Sequence, residues 1–375
     1  MIARFRRFAA LVCALLFACA SARAAGHEEN QRQIEEICQE CGTVGLSAAY
    51  VRGGKVEDTY AWGYATRFSA PMTPDTRVRI ASISKVMVGL AAHLAAQSGL
   101  IDLDGPIDIP LGFAIYRHTQ EDVISPRSIL THTSSIHPQP TASGVYDIVG
   151  GILQVPENIY HSISGNLRNW DYNNFAFYVL GLALERAVGC TMDEYLNAAL
   201  CDQLDIDASF WGGDLRDKEH IATLYNSDRE PVLTVEMQND IHTAGPGTNG
   251  AVFAGNYHIS ARDLGKIVAV LATCGCYEGR RVLPAQVVKA LEAHEDRLVP
   301  GQNFYQAQPL RMRTNIYGRA ALYYHTGSAY GARCMICYDP QAGDGVVILS
   351  SGGSGVDRYG LYRACGKIAE LLLNQ

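Results

Sequence analysis

The sequence predicts a single α/β unit, of the α+β type, whose antiparallel sheet is built from both ends of the chain, with a mostly helical region inserted between them. Strand patterns occupy both ends of the 375-residue chain, and helical patterns lie between them. A hydrophobic content of 48% is enough to bury a large core. We expect one domain over 25–375, with the sheet at about 25–80 and 315–375 and the helical region at about 81–314.

A helix and a hairpin are predicted first. Ile34 and Ile37 have helical spacing in an otherwise polar segment. Gly53-Gly54 separates two strand-like runs, as a hairpin turn does. The predicted bounds are 29–41 for the helix and 44–51 and 56–64 for the two strands.

Helical periodicity governs the middle of the chain, and short apolar runs return near its end. The predicted helices cover 82–100, 175–188 and 261–272. Loops rich in glycine, asparagine and proline, at about 134–170 and 236–257, are typical of segments that line sites. The last predicted elements are strands over 320–325, 332–339 and 346–351 and a helix over 357–373.

Charge and potential metal ligands exclude several classes of function. Acidic residues outnumber basic ones 38 to 31 and no basic stripe follows the first residues, so nucleic acid is not an expected partner. His132 and His137 share a loop that offers no third ligand, and no nucleotide-binding pattern is present. We therefore expect no metal and no cofactor.

Residues 1–24 have the pattern of an export signal. Arginines precede a 13-residue apolar run that ends at Ala20, and Ala22-Arg23-Ala24 supplies small residues for cleavage after Ala24. A permanent membrane anchor, the alternative, needs about 20 apolar residues. We expect a periplasmic or secreted protein. A second interpretation is a lipoprotein anchored through Cys19, which alone would make the membrane a partner.

Ser82 and Lys85 form the one Ser-x-x-Lys pattern in a chain with only six lysines. Residues i and i+3 share a helical face, so the hydroxyl and the amine can meet. An amine accepts a serine proton when burial or nearby positive charge lowers its pKa, and the apolar residues after Lys85 supply that burial. Ser82 is thus a candidate nucleophile, the alternative being a solvated lysine one turn after an ordinary serine.

Three segments, in order, resemble motifs of the serine β-lactamase and penicillin-binding protein superfamily, particularly its class C β-lactamase, DD-peptidase and esterase branch. The segments are Ala81-Ser82-Ile83-Ser84-Lys85, Tyr172-Asn173-Asn174 and His325-Thr326-Gly327. Segments 129–135 and 259–264 are also similar to that branch, and the likeness covers about 43–371. The resemblance implies a β-lactamase/DD-peptidase-like fold.

Catalytic roles follow from this resemblance. It implies that Ser82 attacks a carbonyl to form an acyl-enzyme, while Lys85 and Tyr172 move its proton. Asn174 would hydrogen-bond the substrate amide and Lys85. The backbone N–H groups of Ser82 and Ser328 would form the oxyanion hole.

One departure from the family pattern concerns the substrate. The expected substrate-binding residues are Asn174, His325, Thr326, Gly327 and Arg358. His325 stands where class C β-lactamases carry a lysine, and it is charged only when protonated. Arg358, at the start of the predicted last helix, is a candidate for the missing cation, its alternative being a solvated surface residue.

The sequence therefore predicts an exported serine hydrolase, foremost a D-alanyl-D-alanine carboxypeptidase or related cell-wall peptide hydrolase. Its partner would be a small peptide, with peptidoglycan as the source. A β-lactamase or small-ester hydrolase on the same site is the alternative within enzymes. A penicillin-binding or wall-peptide-sensing domain without turnover is the alternative from another class. Retention of Ser82, Lys85, Tyr172 and Asn174 together argues against it.

Nine of the eleven cysteines follow residue 24, and an odd number in an oxidising compartment leaves at least one unpaired. Two Cys-x-x-Cys pairs lie at opposite ends of the chain. In an exported protein these cysteines are expected to form disulfides rather than a zinc site. The pairs are Cys38/Cys41 and Cys334/Cys337. Because terminal helices pack side by side in the fold that the resemblance implies, we expect Cys38 or Cys41 to pair with Cys365.

Overall fold

A computed structural model describes residues 24–161, 164–241 and 245–375. The expected signal segment lies outside the described residues, apart from Ala24, which is helical. The α-helices are α1 (24–41), α2 (Ser84–Gln97), α3 (Asp108–Leu111), α4 (Pro126–Leu130), α5 (Tyr146–Leu153), α6 (Asn174–Val188), α7 (Met192–Leu196), α8 (Val235–Gln238), α9 (Ala261–Ala272), α10 (Ala285–Glu292) and α11 (Arg363–Leu373).

Eight strands form one antiparallel sheet in the order β10-β11-β12-β13-β14-β1-β2-β3. The strands are β1 (Thr43–Arg52), β2 (Lys55–Thr66), β3 (Ala70–Pro71), β4 (Arg77–Arg79), β5 (Leu224–Tyr225), β6 (Pro231–Leu233), β7 (His258–Ser260), β8 (Cys276–Tyr277), β9 (Arg280–Arg281), β10 (Tyr305–Gln306), β11 (Arg311–Ile316), β12 (Arg319–Ala329), β13 (Ala332–Asp339) and β14 (Asp344–Gly352). Because β14 pairs with β1, the two ends of the chain share one sheet, which confirms the predicted fold class.

The sheet separates two hydrophobic cores. Along β1, Leu46 and Tyr50 face the core shared with α1 and α11, while Ala49 and Val51 face the core shared with the other helices. Alternation sends successive side chains to opposite faces, so a strand covered on both sides is apolar throughout. On the second face, a Cβ added at Gly265 of α9 would lie 2.9 Å from the Cβ of Ala49, so glycine allows this helix to approach β1 closely.

The terminal helices do pack side by side, and Lys367 of α11 contacts Glu40 of α1 at 2.5 Å. The predicted disulfide is nevertheless wrong, because all nine cysteines of the described residues are free thiols. Cys38 and Cys365 are both fully buried in the core between these helices and the sheet. Burial raises the pKa of both thiols, which keeps them protonated and poorly reactive.

Two elements near the C-terminus differ from the prediction. The last helix begins at Arg363 rather than at 357, because the Asp357 carboxylate accepts hydrogen bonds from the backbone N–H groups of Tyr359 and Leu361 and folds this segment into a loop. Strand β11 was not predicted, since its exposed and charged residues lack the apolar run that marks β13 and β14.

Among the described residues, no single helix is long and apolar enough to cross a membrane. Together, the helical segments Asn174–Val188 and Met192–Leu204, which meet at an angle of 68°, reach that length and composition.

Candidate active site

Ser82 lies on a turn that the sheet holds in place. It belongs to the 3₁₀ turn Ala81–Ile83, and α2 begins only at Ser84, two residues later than predicted. A Cβ added at Gly327 of β12 would lie 2.1 Å from the backbone oxygen of Ile80. Since a side chain at Gly327 would displace this contact, glycine is what allows the strand to lie directly against the turn.

The amine of Lys85 is buried and lies next to the hydroxyl of Ser82. The side chain of Lys85 is 0% exposed, and its Nζ lies 3.3 Å from Ser82 Oγ and 2.6 Å from the carbonyl oxygen of Ala254. Burial lowers the pKa of the amine. Tyr172 opposes this shift and the positive charge of Arg311 adds to it. The amine is thereby brought closer to the range in which it can take up a proton.

Tyr172 completes the proton-transfer group. Its hydroxyl is hydrogen-bonded to both Lys85 and Ser82, and Lys85 Nζ lies 5.1 Å from the centre of its ring. Burial alone would raise the pKa of the phenol, but Lys85, the hydrogen bond with Ser82 and the charge of Arg311 outweigh burial and lower it. Ser82 Oγ therefore has two partners able to accept its proton, as nucleophilic attack on a carbonyl requires.

The two asparagines after Tyr172 have different surroundings. Asn173 is buried and caps α6, accepting a hydrogen bond from the backbone N–H of Ala176 at 3.0 Å. Asn174 is exposed in the first turn of α6. The Lys85 amine is hydrogen-bonded to Ser82, Tyr172 and the Ala254 carbonyl, and the predicted contacts of Asn174 with Lys85 and the substrate stay predictions.

His325, Thr326 and Gly327 lie consecutively on β12, next to the nucleophile turn. His325 is 2% exposed, and its Nδ1 lies 2.8 Å from the backbone oxygen of Thr326. A carbonyl oxygen only accepts hydrogen bonds, so Nδ1 carries the proton. Burial, followed by the charges of Arg311 and Lys85, lowers the pKa of His325 well below its usual range. The imidazole is thus neutral and does not supply the positive charge of the lysine it replaces.

The predicted oxyanion hole stays a prediction. Ser328 follows Gly327 on β12, and its exposed side chain hydrogen-bonds Tyr362. Its backbone N–H would act together with that of Ser82 on the turn against which β12 packs.

Arg358 does not supply the missing cation. It forms an ion pair with Glu370 of α11, and its guanidinium lies 4.9 Å from the centre of the Tyr359 ring. Because the last helix begins after it, Arg358 belongs to the exposed surface beside α11.

Arg311, on the unpredicted strand β11, brings a guanidinium to the site instead. Its Cζ lies 5.6 Å from the centre of the Tyr172 ring and 4.6 Å from that of Phe304. The one signal in the sequence is the alternation of Arg311, Met312 and Arg313 before the Tyr317-Gly318 turn, a weak hairpin pattern.

The described residues contain no group of three His, Cys, Asp or Glu side chains placed to hold a metal ion.

Comparisons with known proteins identify the family and the fold of the chain. The sequence profile of the family described as Beta-lactamase matches residues 30–364. The chain is 29% identical over 236 residues to Esterase EstB of Burkholderia gladioli, and the aligned part covers 58% of each protein. The chain thus spans little more than half the length of this curated relative.

In fold, the chain is similar to the octameric penicillin-binding protein homologue from Pyrococcus abyssi, with a TM-score of 0.72 and 19% identity over 93% of this chain and 77% of that one. It is equally similar to a beta-lactamase/D-alanine carboxypeptidase from Pseudomonas syringae, with a TM-score of 0.71 and 20% identity over 94% and 99%. These similarities confirm the predicted β-lactamase/DD-peptidase-like fold.

We predict that Gly327→Ala destabilises the protein by about 1–3 kcal/mol, the usual cost of forcing extra atoms into a packed contact. Chemical denaturation measures the change. Gly151→Ala in α5 is the matched control, because a Cβ there meets nothing within 4 Å. Equal stability of the two variants would show that β12 does not depend on close contact with the Ile80 carbonyl.

Proposed function

The chain belongs to the beta-lactamase family, and we propose that it is a serine hydrolase which forms an acyl-enzyme at Ser82 on substrates that carry a free carboxylate, as a D-alanyl-D-alanine carboxypeptidase does. The proposed substrate is a small peptide of the cell wall, and peptidoglycan is its source.

The observation that carries this choice of substrate is the position of Arg311. Its guanidinium lies 5.6 Å from the centre of the Tyr172 ring and is hydrogen-bonded with the Tyr324 side chain. Among the described residues, Arg311 forms no ion pair with a carboxylate. A guanidinium is permanently charged and binds carboxylates through two parallel hydrogen bonds. Because His325 is neutral, we propose that Arg311 is the permanent positive charge that a substrate carboxylate meets beside Tyr172.

The proposed reaction begins with transfer of the Ser82 proton to Tyr172 as Oγ attacks the substrate carbonyl. Lys85 stabilises the phenolate side of this transfer, and the backbone N–H groups of Ser82 and Ser328 stabilise the oxyanion. Collapse of the tetrahedral intermediate expels the leaving amine, which takes the proton from Tyr172. Water then attacks the acyl-enzyme while Tyr172 again accepts a proton. Tyr172 returns this proton to Ser82 Oγ as the bond between Oγ and the acyl carbon breaks and the acid product leaves.

Two other reactions use the same proton-transfer group. A β-lactam also carries a carboxylate, so β-lactamase activity is compatible with Arg311. The esterase relative, 29% identical to this chain, favours a small-ester hydrolase as the second candidate. A domain that binds without turnover has no need of Lys85 and Tyr172 around Ser82, and we therefore place it last.

We also propose that residues 1–24 export the protein to the periplasm or the medium, on the strength of the signal pattern alone. The exported chain is expected to begin at Ala25. N-terminal sequencing tests this, and a lipid-modified Cys19 as the first residue would replace the proposal with a membrane-anchored lipoprotein.

We expect a fluorescent penicillin to label the wild-type protein covalently and Ser82→Ala to remain unlabelled, because Ser82 Oγ forms the ester bond. Gel fluorescence over time measures labelling and its decay. Slow decay indicates a DD-peptidase, and rapid loss with free product a β-lactamase. Ser227→Ala, at an exposed serine after β5, is the control and should label normally. Labelling of Ser82→Ala at the wild-type rate would contradict the proposed nucleophile.

Arg311→Gln should lower kcat/KM for a D-Ala-D-Ala peptide by about 10- to 100-fold more than for a p-nitrophenyl ester that lacks a carboxylate. A hydrogen bond to a charged group contributes about 1.5–3 kcal/mol, which the ester cannot lose.

Arg311→Gln should also change the pH dependence for both substrates in the same way. Arg311 lowers the pKa of Tyr172, so its removal shifts the acid limb of the pH–rate profile to higher pH.

Arg358→Gln is the control for this experiment, because Arg358 is an exposed arginine already paired with Glu370. It should leave both rates and the pH profile unchanged. An equal loss on peptide and ester in Arg311→Gln would mean that Arg311 acts through Tyr172 alone and that carboxylate binding lies elsewhere.

A further inference from the structure

We propose that His132 is a positioning residue that clamps Tyr172 from three sides, as a neutral imidazole whose proton is on Nε2. His132 lies in the loop after α4. The contacts between His132 and the Tyr172 segment do not depend on activity, whereas their effect on the reaction rate rests on the proposed function of Tyr172.

Three contacts define the clamp. The backbone oxygen of His132 accepts a hydrogen bond from the N–H of Asp171 at 2.9 Å, and its Nδ1 accepts one from the N–H of Asn173 at 3.2 Å. The ring itself lies against the ring of Tyr172, with centroids 4.4 Å apart and an angle of 35° between planes. One residue thus holds the backbone on both sides of Tyr172 and one face of its side chain.

The hydrogen bond from Asn173 fixes the protonation of the imidazole. A backbone N–H is a donor only, so Nδ1 must offer a lone pair and the proton must sit on Nε2. The charged groups that face this ring are Lys85, Arg311 and, if protonated, His325. Burial, followed by these three groups, lowers the pKa of His132 well below its usual range. The Nδ1 acceptor is therefore present throughout the neutral pH range.

The backbone of His132 has an unusual conformation. Its φ is +56°, in the left-handed region that a side chain other than that of glycine rarely adopts. The turn is held on both sides, because the N–H of His132 bonds to Ile129 at 3.0 Å and that of Thr133 bonds to Ser128 at 2.8 Å. Strain of this kind persists where the surroundings over-determine it, and it concentrates at functional sites.

The clamp matters because the Tyr172 hydroxyl must reach two partners at once. It hydrogen-bonds both Ser82 and Lys85, and Tyr172 precedes α6 rather than lying within it. No helical hydrogen bonds therefore fix its position. A misplacement of about 1 Å can cost about 100-fold in rate, so contacts that hold the phenol are contacts that set the rate of proton transfer.

Two substitutions separate the contacts. His132→Asn keeps an acceptor near the position of Nδ1 and tolerates a positive φ, whereas His132→Phe keeps an aromatic ring and removes the acceptor. We expect the rate of acylation by the fluorescent penicillin to fall about 100-fold in His132→Phe and less than 10-fold in His132→Asn, with little change in the concentration for half-maximal rate. Most of the acylation rate should therefore be retained in His132→Asn, which keeps the acceptor. A residue with a purely structural role would not show this difference between the two variants.

His137→Phe is the matched control, because His137 lies in the same loop and its ring contacts that of Tyr160, with centroids 3.5 Å apart, rather than that of Tyr172. It should acylate at the wild-type rate. Thermal unfolding of each variant identifies any loss that comes from misfolding. His132→Phe that is folded and acylates like wild type would overturn the proposal.

A second measurement does not depend on activity. Long-range ¹H–¹⁵N spectra of ¹⁵N-histidine protein should show one imidazole, absent in His132→Asn, that is protonated on Nε2 and unchanged from pH 5 to pH 9. Protonation of that ring on Nδ1, or an ordinary titration near pH 6.5, would overturn the clamp. If penicillin fails to label the wild-type protein, the proposed function is in error and these spectra still decide the clamp.

Discussion

The complete burial of the Lys85 amine is the constraint on which the rest of the site depends. A buried ammonium without partners is costly, and here it meets the carbonyl of Ala254 and the hydroxyls of Ser82 and Tyr172. The apolar residues of α2 that follow Lys85 are themselves buried, so the amine has no route to water along its own helix. Burial thereby holds the amine of Lys85 against Ser82 and Tyr172, where its charge lowers the pKa of the Tyr172 phenol.

Burial also determines the charge states of the titratable groups around Lys85. Lys85 and Arg311 place positive charge where two imidazoles, His132 and His325, are already desolvated, so both imidazoles stay neutral and act through fixed tautomers. The same two charges lower the pKa of Tyr172 against the effect of its burial. The site therefore has an electropositive interior whose neutral groups supply oriented donors and acceptors, an arrangement suited to negative charge that develops during acyl transfer.

A feature could be predicted from the sequence when the residues that define it lie close together in the chain. Ser82 and Lys85 are three residues apart, and the Tyr172 and β12 motifs are short and ordered, so each could be found locally. Arg311 could not, because its strand has no apolar run and its place beside Tyr172 is created by sheet pairing. For Arg358 the sequence left two alternatives open. The Asp357 carboxylate replaces the first turn of the predicted last helix, and Arg358 lies on the exposed surface paired with Glu370. The role of His132 depends on contacts with residues 171 and 173, some forty positions later in the chain.

The site joins two parts of the chain with separate tasks. Helices α2 and α6 and the His132 loop hold the proton-transfer group, while β11 and β12 hold Arg311 and His325, which face the substrate in our proposal. The two parts meet where Gly327 lies on the turn at Ile80, a contact of backbone against backbone. Because this contact needs only a missing side chain at one position, the residues on β11 and β12 can differ without moving Ser82. In our proposal, substrate choice is therefore set by residues of these strands rather than by the nucleophile, since the fold alone does not fix a function.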